Sequence, residues 1–263
     1  MAEAIKTGTI LDRIVEVRRN SFFLRQKLIP LNMLRMTVKR NEPARDFAAA
    51  LSRDSVNVIA ELKKASPSKG VLRADFEPAS LARIFSENGA AALSVLTEEE
   101  FFQGSLDNIG KARKVAPIPI LRKDFLFDAW QVWESRAANA DSFLLIVAIL
   151  EDGLLRELIA QGRELGMEPL VEVHAREELH RALHAGARIV GVNNRDLKTF
   201  EVRLDISLEL IEEIPDECIA VCESGIHSRV EIQRLRNAGY DAFLIGEHLM
   251  QAADPGAALR GLM

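Results

Sequence analysis

Apolar residues in this chain are concentrated in eight short runs, which alternate with longer segments of mixed polarity. Within each run the apolar residues are continuous rather than alternating, which is typical of strands that are covered on both faces in a parallel sheet. Most intervening segments have helical spacing, as in EDGLLRELIAQGRELG. The pattern predicts strands at Val56–Glu61, Ala92–Leu96, Ile118–Arg122, Ser142–Ala148, Pro169–Val173, Ile189–Asn193, Cys218–Cys222 and Ala242–Gly246.

Four of the predicted helices end at a glycine that shortly precedes the next strand. These glycines are Gly89, Gly166, Gly186 and Gly239, in SENGAAALSVL, RELGMEPLVEV, LHAGARIVGV and RNAGYDAFLIG. Glycine readily adopts the left-handed conformation that ends many helices. Eight strand–helix units without a dinucleotide fingerprint predict an α/β fold, a closed (β/α)₈ TIM barrel. A doubly wound open sheet is the alternative.

We expect one domain over residues 1–263, because no linker or shift in composition divides the chain. Residues 1–54 are predicted to form an N-terminal helical extension, in which ILDRIVEVRRN and ARDFAAALSR are both amphipathic. The segment from Asp46 to Arg53 is expected to cover the barrel as a lid or plug.

Composition and charge argue against nucleic acid and membrane as binding partners. A net charge of −5 and an isoelectric point near 5.7 argue against nucleic acid, which needs a basic face. We interpret the basic residues of Arg35–Arg40 as a solvated helix face. The longest apolar run, Phe143–Leu150, is too short to span a membrane, and no signal peptide is visible.

The two cysteines favour a reducing compartment. Cys218 and Cys222 lie on one predicted strand, about 13 Å apart, too far for a disulfide. We therefore expect reduced cysteines and a cytoplasmic location. His180 and His184 have helical spacing, but Arg181 stands where a zinc protease needs Glu, so we interpret them as a surface helix and expect no metal.

Polar residues follow the apolar run in six of the eight predicted strands, as in VIAELKKASPSKG at residues 58–70. In a barrel, the carboxyl ends of the strands meet at one mouth, where active sites are built. A solvated strand end explains any one of these residues, but the set favours a shared polar pocket. The residues are Glu61, Lys63, Lys123, Glu172, Asn193, Arg195, Glu223, Ser224, Gly225, Gly246 and Glu247.

The last two predicted strands end at a candidate phosphate site. Ser224 and Gly225 precede a helical segment that starts near Ser228, and Gly246 and Glu247 lie at a helix start. Glycines let a phosphate approach backbone amides, and helix N-termini favour anions. Turn glycines without a ligand are the alternative. The phosphate interpretation implies a phosphorylated small molecule as substrate.

Two lysines suggest proton-coupled chemistry at a carbonyl. If Lys63 and Lys123 face one pocket, their repulsion should lower the pKa of at least one ammonium, which makes it a better acid near neutrality. Glu61 and Glu172 would partly offset this effect and could accept or return a proton. A Schiff base on either lysine is also open.

Aromatic residues near these strand ends could form a slot for a planar ring, with ordinary core packing as the alternative. They are Phe101, Phe102, Phe125, Phe127 and Trp130.

The chain resembles the indole-3-glycerol-phosphate synthase family along nearly its whole length. The motifs that carry the resemblance are IAELKKASPSKG, GAAALSVLTEEEFFQGS, PILRKDFLFD, LVEVH, GVNNRDLKTFEV, ESGI and AFLIGEHLM. The resemblance implies a carboxy-lyase of tryptophan biosynthesis that closes a ring in 1-(2-carboxyphenylamino)-1-deoxyribulose 5-phosphate and releases CO₂ and water. It implies no cofactor and no metal.

The resemblance also implies roles for five catalytic residues. Lys123 would be the general acid at the carbonyl, and Lys63 would bind the anionic substrate and assist departure of the hydroxyl. Glu172 would be the general base, Glu61 would support the charge network and Asn193 would bind the reacting hydroxyls. Which lysine acts at which step stays open.

The implied binding residues surround these five. Arg195 and Ser66 would hold the carboxylate of the substrate, Phe102 and Phe125 would flank its ring, and four residues would cradle its phosphate: Ser224, Gly225, Gly246 and Glu247. The expected partner is this small molecule, with no nucleic acid and no membrane. We expect a monomer, and association with other tryptophan-pathway enzymes stays open.

Two rival functions remain at this stage. A phosphoribosylanthranilate isomerase would be expected to use a Cys/Asp pair at strand ends, whereas Glu and Lys stand there in this chain. A non-catalytic barrel that binds a phosphate ligand is the other alternative.

Overall fold

A computed structural model describes residues 5–263. Eight parallel strands close into a barrel in the order β1-β10-β9-β8-β7-β6-β5-β4, and β2 and β3 form a separate antiparallel hairpin. The strands are β1 Asn57–Leu62, β2 Ala65–Ser66, β3 Gly70–Val71, β4 Ala92–Leu96, β5 Ile120–Lys123, β6 Ser142–Ile146, β7 Leu170–Val173, β8 Ile189–Asn193, β9 Ile219–Glu223 and β10 Ala242–Ile245. The predicted (β/α)₈ barrel is confirmed.

Helices precede the first strand and follow each barrel strand. They are α1 Ile10–Leu28, α2 Leu31–Val38, α3 Phe47–Leu51, α4 Pro78–Glu87, α5 Asp107–Arg113, α6 Ala129–Ala137, α7 Asp152–Glu164, α8 Arg176–His184, α9 Asp205–Leu210, α10 Arg229–Ala238, α11 Glu247–Gln251 and α12 Pro255–Leu262. Within residues 5–263, no helix combines the length and the apolar character that crossing a membrane requires.

The barrel strands have the burial expected of a sheet covered on both faces. β1, β4, β6, β7 and β10 are buried at every residue. All eight predicted strands are present, and no boundary differs by more than two residues from its prediction. One of the two-residue differences has a local cause, since Val147–Ile149 at the end of one predicted strand forms a 3₁₀ turn.

The helix ends that were predicted at glycines are also present. Gly89, Gly166, Gly186 and Gly239 have φ values of 93°, 76°, 87° and 119°. This left-handed backbone suits glycine because it has no Cβ to clash with the carbonyl. Each glycine therefore turns the chain from a helix on the outside back toward the next strand.

The helices before β1 lie at opposite ends of the barrel. Asn57 at the start of β1 donates Nδ2–H bonds to the carbonyls of Leu51 and Asp241, which places α3 at the amino-terminal end as a plug. In contrast, Ile10, Leu11 and Ile14 of α1 line a cavity at the carboxyl-terminal mouth. Residues 1–4 of the predicted extension lie outside the described part of the chain.

Candidate active site

Two adjoining cavities open at the carboxyl ends of the strands, with volumes of about 610 and 140 Å³. Every residue to which the resemblance assigned a catalytic or binding role lines at least one of them. The larger cavity is lined by Gly225 and Gly246, and the smaller by Ser66, Phe102, Lys123, Phe125, Glu172 and Asn193. Both are lined by Glu61, Lys63, Arg195, Ser224 and Glu247. Residues far apart in sequence thus surround one mouth.

Lys123, at the end of β5, is the centre of a buried ionic cluster. Its Nζ lies 2.7 Å from Oε2 of Glu172 and 2.5 Å from Oε2 of Glu223, across the barrel interior. Both glutamates are almost completely buried. Charge-assisted hydrogen bonds of this length hold the ammonium group in one position.

The environment keeps Lys123 protonated. Burial alone would lower the pKa of Lys123, but the charges of Glu172, Glu223 and Glu61 outweigh burial and raise the pKa above its ordinary value. The expectation that repulsion between the lysines lowers an ammonium pKa is therefore wrong for Lys123. Each lysine contacts at least one carboxylate directly, since Nζ of Lys63 lies 2.6 Å from Oε2 of Glu61.

The two carboxylates on Lys123 differ in proton affinity. Burial raises the pKa of Glu172, but Lys123 and then His174 outweigh it, so that this pKa lies below its ordinary value. Burial raises the pKa of Glu223 to about 7, because Lys123 offsets only part of it and the charges of Glu172 and Glu61 add to it. Two carboxylates with displaced pKa values provide a proton acceptor and a proton store in one site.

Glu223 and His174 were given no catalytic or binding role from the sequence. Glu223 ends β9 at the same level as the other strand-end charges, and this position was the signal that could have identified its role. His174 directly follows β7, and its Nε2 lies 3.3 Å from Oε1 of Glu172. A histidine two positions after a candidate base was the corresponding signal.

Two glycines, one in the middle of β8 and one directly after β10, make room for this cluster. A Cβ at Gly191 would collide with Oε1 of Glu223, and a Cβ at Gly246 would collide with Oε2 of Glu61. Gly191 lies on β8 beside Glu172 of β7, at a point where the barrel interior holds several long side chains. The glycines therefore set the positions of the carboxylates as well as the course of the backbone.

An apolar slot adjoins the charged cluster. The rings of Phe102 and Phe125 lie 6.0 Å apart at an interplanar angle of 36°, and both line the smaller cavity. Phe127 and Trp130 instead pack against Phe22 of α1 at centroid distances of 5.4 and 5.7 Å. Core packing, the alternative kept open above, thus accounts for Phe127 and Trp130.

Polar groups at the rim of the slot are held in defined positions. Nη2 of Arg195 lies 3.2 Å from Oε2 of Glu247, and the backbone N–H of Arg195 donates to Oδ1 of Asn193. Oγ of Ser66 is buried and has no hydrogen-bond partner among residues 5–263. A buried hydroxyl without a partner is free to bind a ligand.

The larger cavity has the backbone geometry of an anion site. Ser224 and Gly225 have φ values of 68° and 81°, and a non-glycine residue in this conformation is held there by its surroundings. The first turn of α10 follows at Arg229, and α11 begins at Glu247.

Within residues 5–263, no group of three or more His, Cys, Asp or Glu side chains is arranged to hold a metal.

Comparisons with known proteins agree in sequence and in fold. The family model described as "Indole-3-glycerol phosphate synthase" matches residues 11–262. An indole-3-glycerol phosphate synthase of Albidiferax ferrireducens is 49% identical over 96% of this chain and 97% of its own. One from Dehalococcoides mccartyi, strain CBDB1, is 48% identical over 97% of this chain and 100% of its own.

Two solved structures of low sequence identity share the fold of this chain. KGPDC from Streptococcus mutans superposes with a TM-score of 0.60 at 15% identity, over 79% of this chain and 95% of its own. Thiamine phosphate pyrophosphorylase from Pyrococcus furiosus gives a TM-score of 0.58 at 16% identity, over 79% of this chain and 93% of its own.

Proposed function

The chain belongs to the indole-3-glycerol phosphate synthase family, and from this premise we propose which of its side chains perform each step. The enzyme converts 1-(2-carboxyphenylamino)-1-deoxyribulose 5-phosphate to indole-3-glycerol phosphate, CO₂ and water, in tryptophan biosynthesis. One observation supports the assignment above all. Inside the mouth of the barrel, Lys123 contacts both Glu172, whose pKa lies below the ordinary value, and Glu223, whose pKa lies above it.

Lys123 is the general acid of ring closure. The substrate ring carbon that bears the carboxylate attacks the ketone carbon, and Lys123 transfers a proton to the ketone oxygen, which becomes a hydroxyl. The ammonium is charged in the free enzyme because three glutamates surround it, so it carries the proton that ring closure needs. The same raised pKa makes it a weaker acid than a lysine whose pKa lies near the working pH. Loss of CO₂ then restores the aromatic ring.

Dehydration follows with Lys63 and Glu172 in opposite roles. Lys63 assists the departing hydroxyl, and Glu172 accepts the proton whose removal forms the indole double bond. Glu172 is ionised at neutral pH, as a base must be, because its pKa lies below the ordinary value. The same shift makes it a weaker base than a carboxylate whose pKa lies near the working pH. Glu61 holds Lys63, and Asn193 hydrogen-bonds the reacting hydroxyls.

The two cavities correspond to the two ends of the substrate. The anthranilate ring packs against Phe102 and Phe125, which line the smaller cavity, and its carboxylate meets Arg195 and the unpartnered hydroxyl of Ser66. The phosphate lies in the larger cavity, which is lined by Ser224, Gly225, Gly246 and Glu247; Glu247 acts through its backbone amide. A monomeric state and a cytoplasmic location stay predictions.

Replacement of the proposed acid tests this assignment. We expect Lys123→Ala to lower kcat by about 10²- to 10⁴-fold, the range of a general acid, while binding of a phosphate ligand is retained. Indole formation is followed by ultraviolet absorbance or fluorescence. Lys111→Ala, at an exposed position of α5, is the matched control. Purified parent protein that forms no indole product from this substrate would contradict the function itself.

A further inference from the structure

His174 contacts the proposed base from outside the reaction cavity. Oε2 of Glu172 faces Lys123, whereas Oε1 of the same carboxylate lies 3.3 Å from Nε2 of His174. This contact is an ion pair rather than an aligned hydrogen bond. The two oxygens of Glu172 therefore face two different cations.

A third carboxylate fixes the histidine. Nδ1 of His174 lies 3.3 Å from Oε2 of Glu178, and the backbone N–H of His174 donates to the same oxygen at 2.8 Å. Glu178 lies in the first turn of α8, directly after the strand that carries Glu172. Ring and backbone are thus held by one residue, and the side chain of His174 is only 12% exposed.

The histidine is positively charged at neutral pH. Burial lowers the pKa of His174, but the contacts with Glu172 and Glu178 outweigh burial and raise it to about 10. A cation in this position favours the ionised form of Glu172, as Lys123 does from the other side.

His174 faces a different space from Glu172. Glu172 lines the 140 Å³ cavity of the reaction site, whereas His174 lines a neighbouring cavity of about 480 Å³ together with Glu178 and Arg181; the two cavities share Asn193 and Arg195. Asp196 and Lys198 line that second cavity too. His174 lines neither cavity of the reaction site, and its contact with that site is the one it makes with Glu172.

We propose that His174, held by Glu178, is a positioning residue that binds one oxygen of Glu172 so that the other is presented to Lys123 and the substrate. The inference rests on the proposed role of Glu172 as the base. It adds a group behind the base that sets both the orientation and the charge of the carboxylate.

The sign of the pH effect follows from the charges around Glu172. Lys123, Glu223 and Glu61 face it from the barrel interior, and His174 faces it from behind. A neutral residue at position 174 removes one of two nearby positive charges, so the pKa of Glu172 rises. The acidic limb of kcat/KM must then move to higher pH. Lys123 still lowers the pKa of Glu172 in the variant, so this pKa rises by only part of its total shift.

The first experiment is a pH profile of His174→Gln. We expect the acidic limb to move up by about one pH unit, the lower end of the effect of one nearby charge, with a smaller loss at pH 8. His180→Gln, which removes an exposed histidine from α8, is the matched control and should leave the limb in place. A uniform loss of rate at every pH, with an unmoved limb, would overturn the proposal.

A second experiment does not depend on activity or on folding of the His174 variant. The chain has 5 histidines, so labelled histidine signals can be resolved by NMR. We expect the signal of His174 to titrate far above the ordinary histidine value, and the pKa to fall in Glu178→Gln. Titration of His174 at the ordinary value of about 6.5 overturns the inference, whether or not the parent forms indole. Failure of the parent to form indole would instead contradict the proposed function.

Discussion

At the scale of single residues, one ammonium group is surrounded by more negative charge than it can neutralise. Glu172 and Glu223 contact Lys123 directly, and Glu61 adds its field, although Lys63 partly compensates it. Burial, together with the charges of Glu172 and Glu61, raises the pKa of Glu223 to about 7. Charge repulsion of this kind is typical of sites whose residues serve reactivity at the expense of stability.

Glu223→Gln should remove the loss of stability that deprotonation of Glu223 causes as pH rises. Burial raises the pKa of Glu223 from 4.5 to about 7, so its contribution to stability is complete below pH 4.5 and is lost as pH rises through 7. Glutamine does not titrate. Between pH 5 and pH 8, the free energy of unfolding should therefore fall less in the variant than in the parent, by at most about 3 kcal/mol.

Urea unfolding at the two pH values measures this difference. Glu177→Gln, an exposed position on α8, is the control and should follow the parent. An equal change in the free energy of unfolding for Glu223→Gln and the parent would show that Glu223 is ionised throughout this range.

At the scale of elements, a network of buried ion pairs and hydrogen bonds holds α1 at the mouth of the barrel. Nη2 of Arg18 lies 2.6 Å from Oδ2 of Asp124, and the same oxygen accepts bonds from Thr97 and Arg122. Asp124 lies between Lys123 and Phe125, so the network connects the helix to the strand end that carries the proposed acid. Removing one partner of a buried pair leaves the other charge without compensation.

Arg18→Met should therefore weaken both the fold and the site. We expect the free energy of unfolding to fall by about 3 kcal/mol, the lower end for a broken buried pair, because Arg122 still pairs with Asp124. KM should rise, since Ile10, Leu11 and Ile14 of the same helix line the substrate cavity. Urea unfolding and steady-state kinetics measure the two effects.

Lys27→Met, in the exposed last turn of α1, is the control for this variant. It removes a positive charge from the same helix without touching the network. A loss of stability as large in Lys27→Met as in Arg18→Met would mean that the total charge of the helix matters and the buried pair does not.

Elements with a strong local signal could be predicted from the sequence, and their contacts across the barrel could not. The eight strands are found because each is a continuous apolar run, most of them ending at a polar residue. The pairing of Lys123 with Glu223 depends on which side chains meet across the interior, and it joins residues 100 positions apart. For the same reason, the sequence led us to expect repulsion between Lys63 and Lys123 and did not show which carboxylate each lysine contacts. The amphipathic pattern of α1 and α3 likewise did not show that α1 lies at the mouth of the barrel and α3 at its other end.

At the scale of the whole molecule, the buried ionisable groups determine how stability depends on pH. Burial raises the pKa of Asp124, but Arg18 and Arg122 outweigh it and lower that pKa to about 2. The stability from Asp124 is thus complete above its unfolded value of 3.8 and is lost as pH falls through 2. Glu172 acts in the same direction, because its pKa is also lowered in the fold.

The alkaline side is set by the groups with raised pKa values. Contacts with Glu172 and Glu178 raise the pKa of His174 from 6.5 to about 10 against burial, so its contribution is complete below pH 6.5 and is lost as pH rises through 10. Glu223 loses its contribution earlier, between pH 4.5 and 7. We therefore expect thermal midpoints to rise between pH 2 and 4, to peak near pH 5 and to decline toward pH 10.

Asp124→Asn tests the acidic side of this profile. The variant should be less stable than the parent at pH 7, and its free energy of unfolding should fall less between pH 4 and pH 2, by about 2 kcal/mol. A maximum at pH 8 or above would mean that the carboxylates around Lys123 are all ionised without cost, because only then would deprotonation of Glu223 leave stability unchanged.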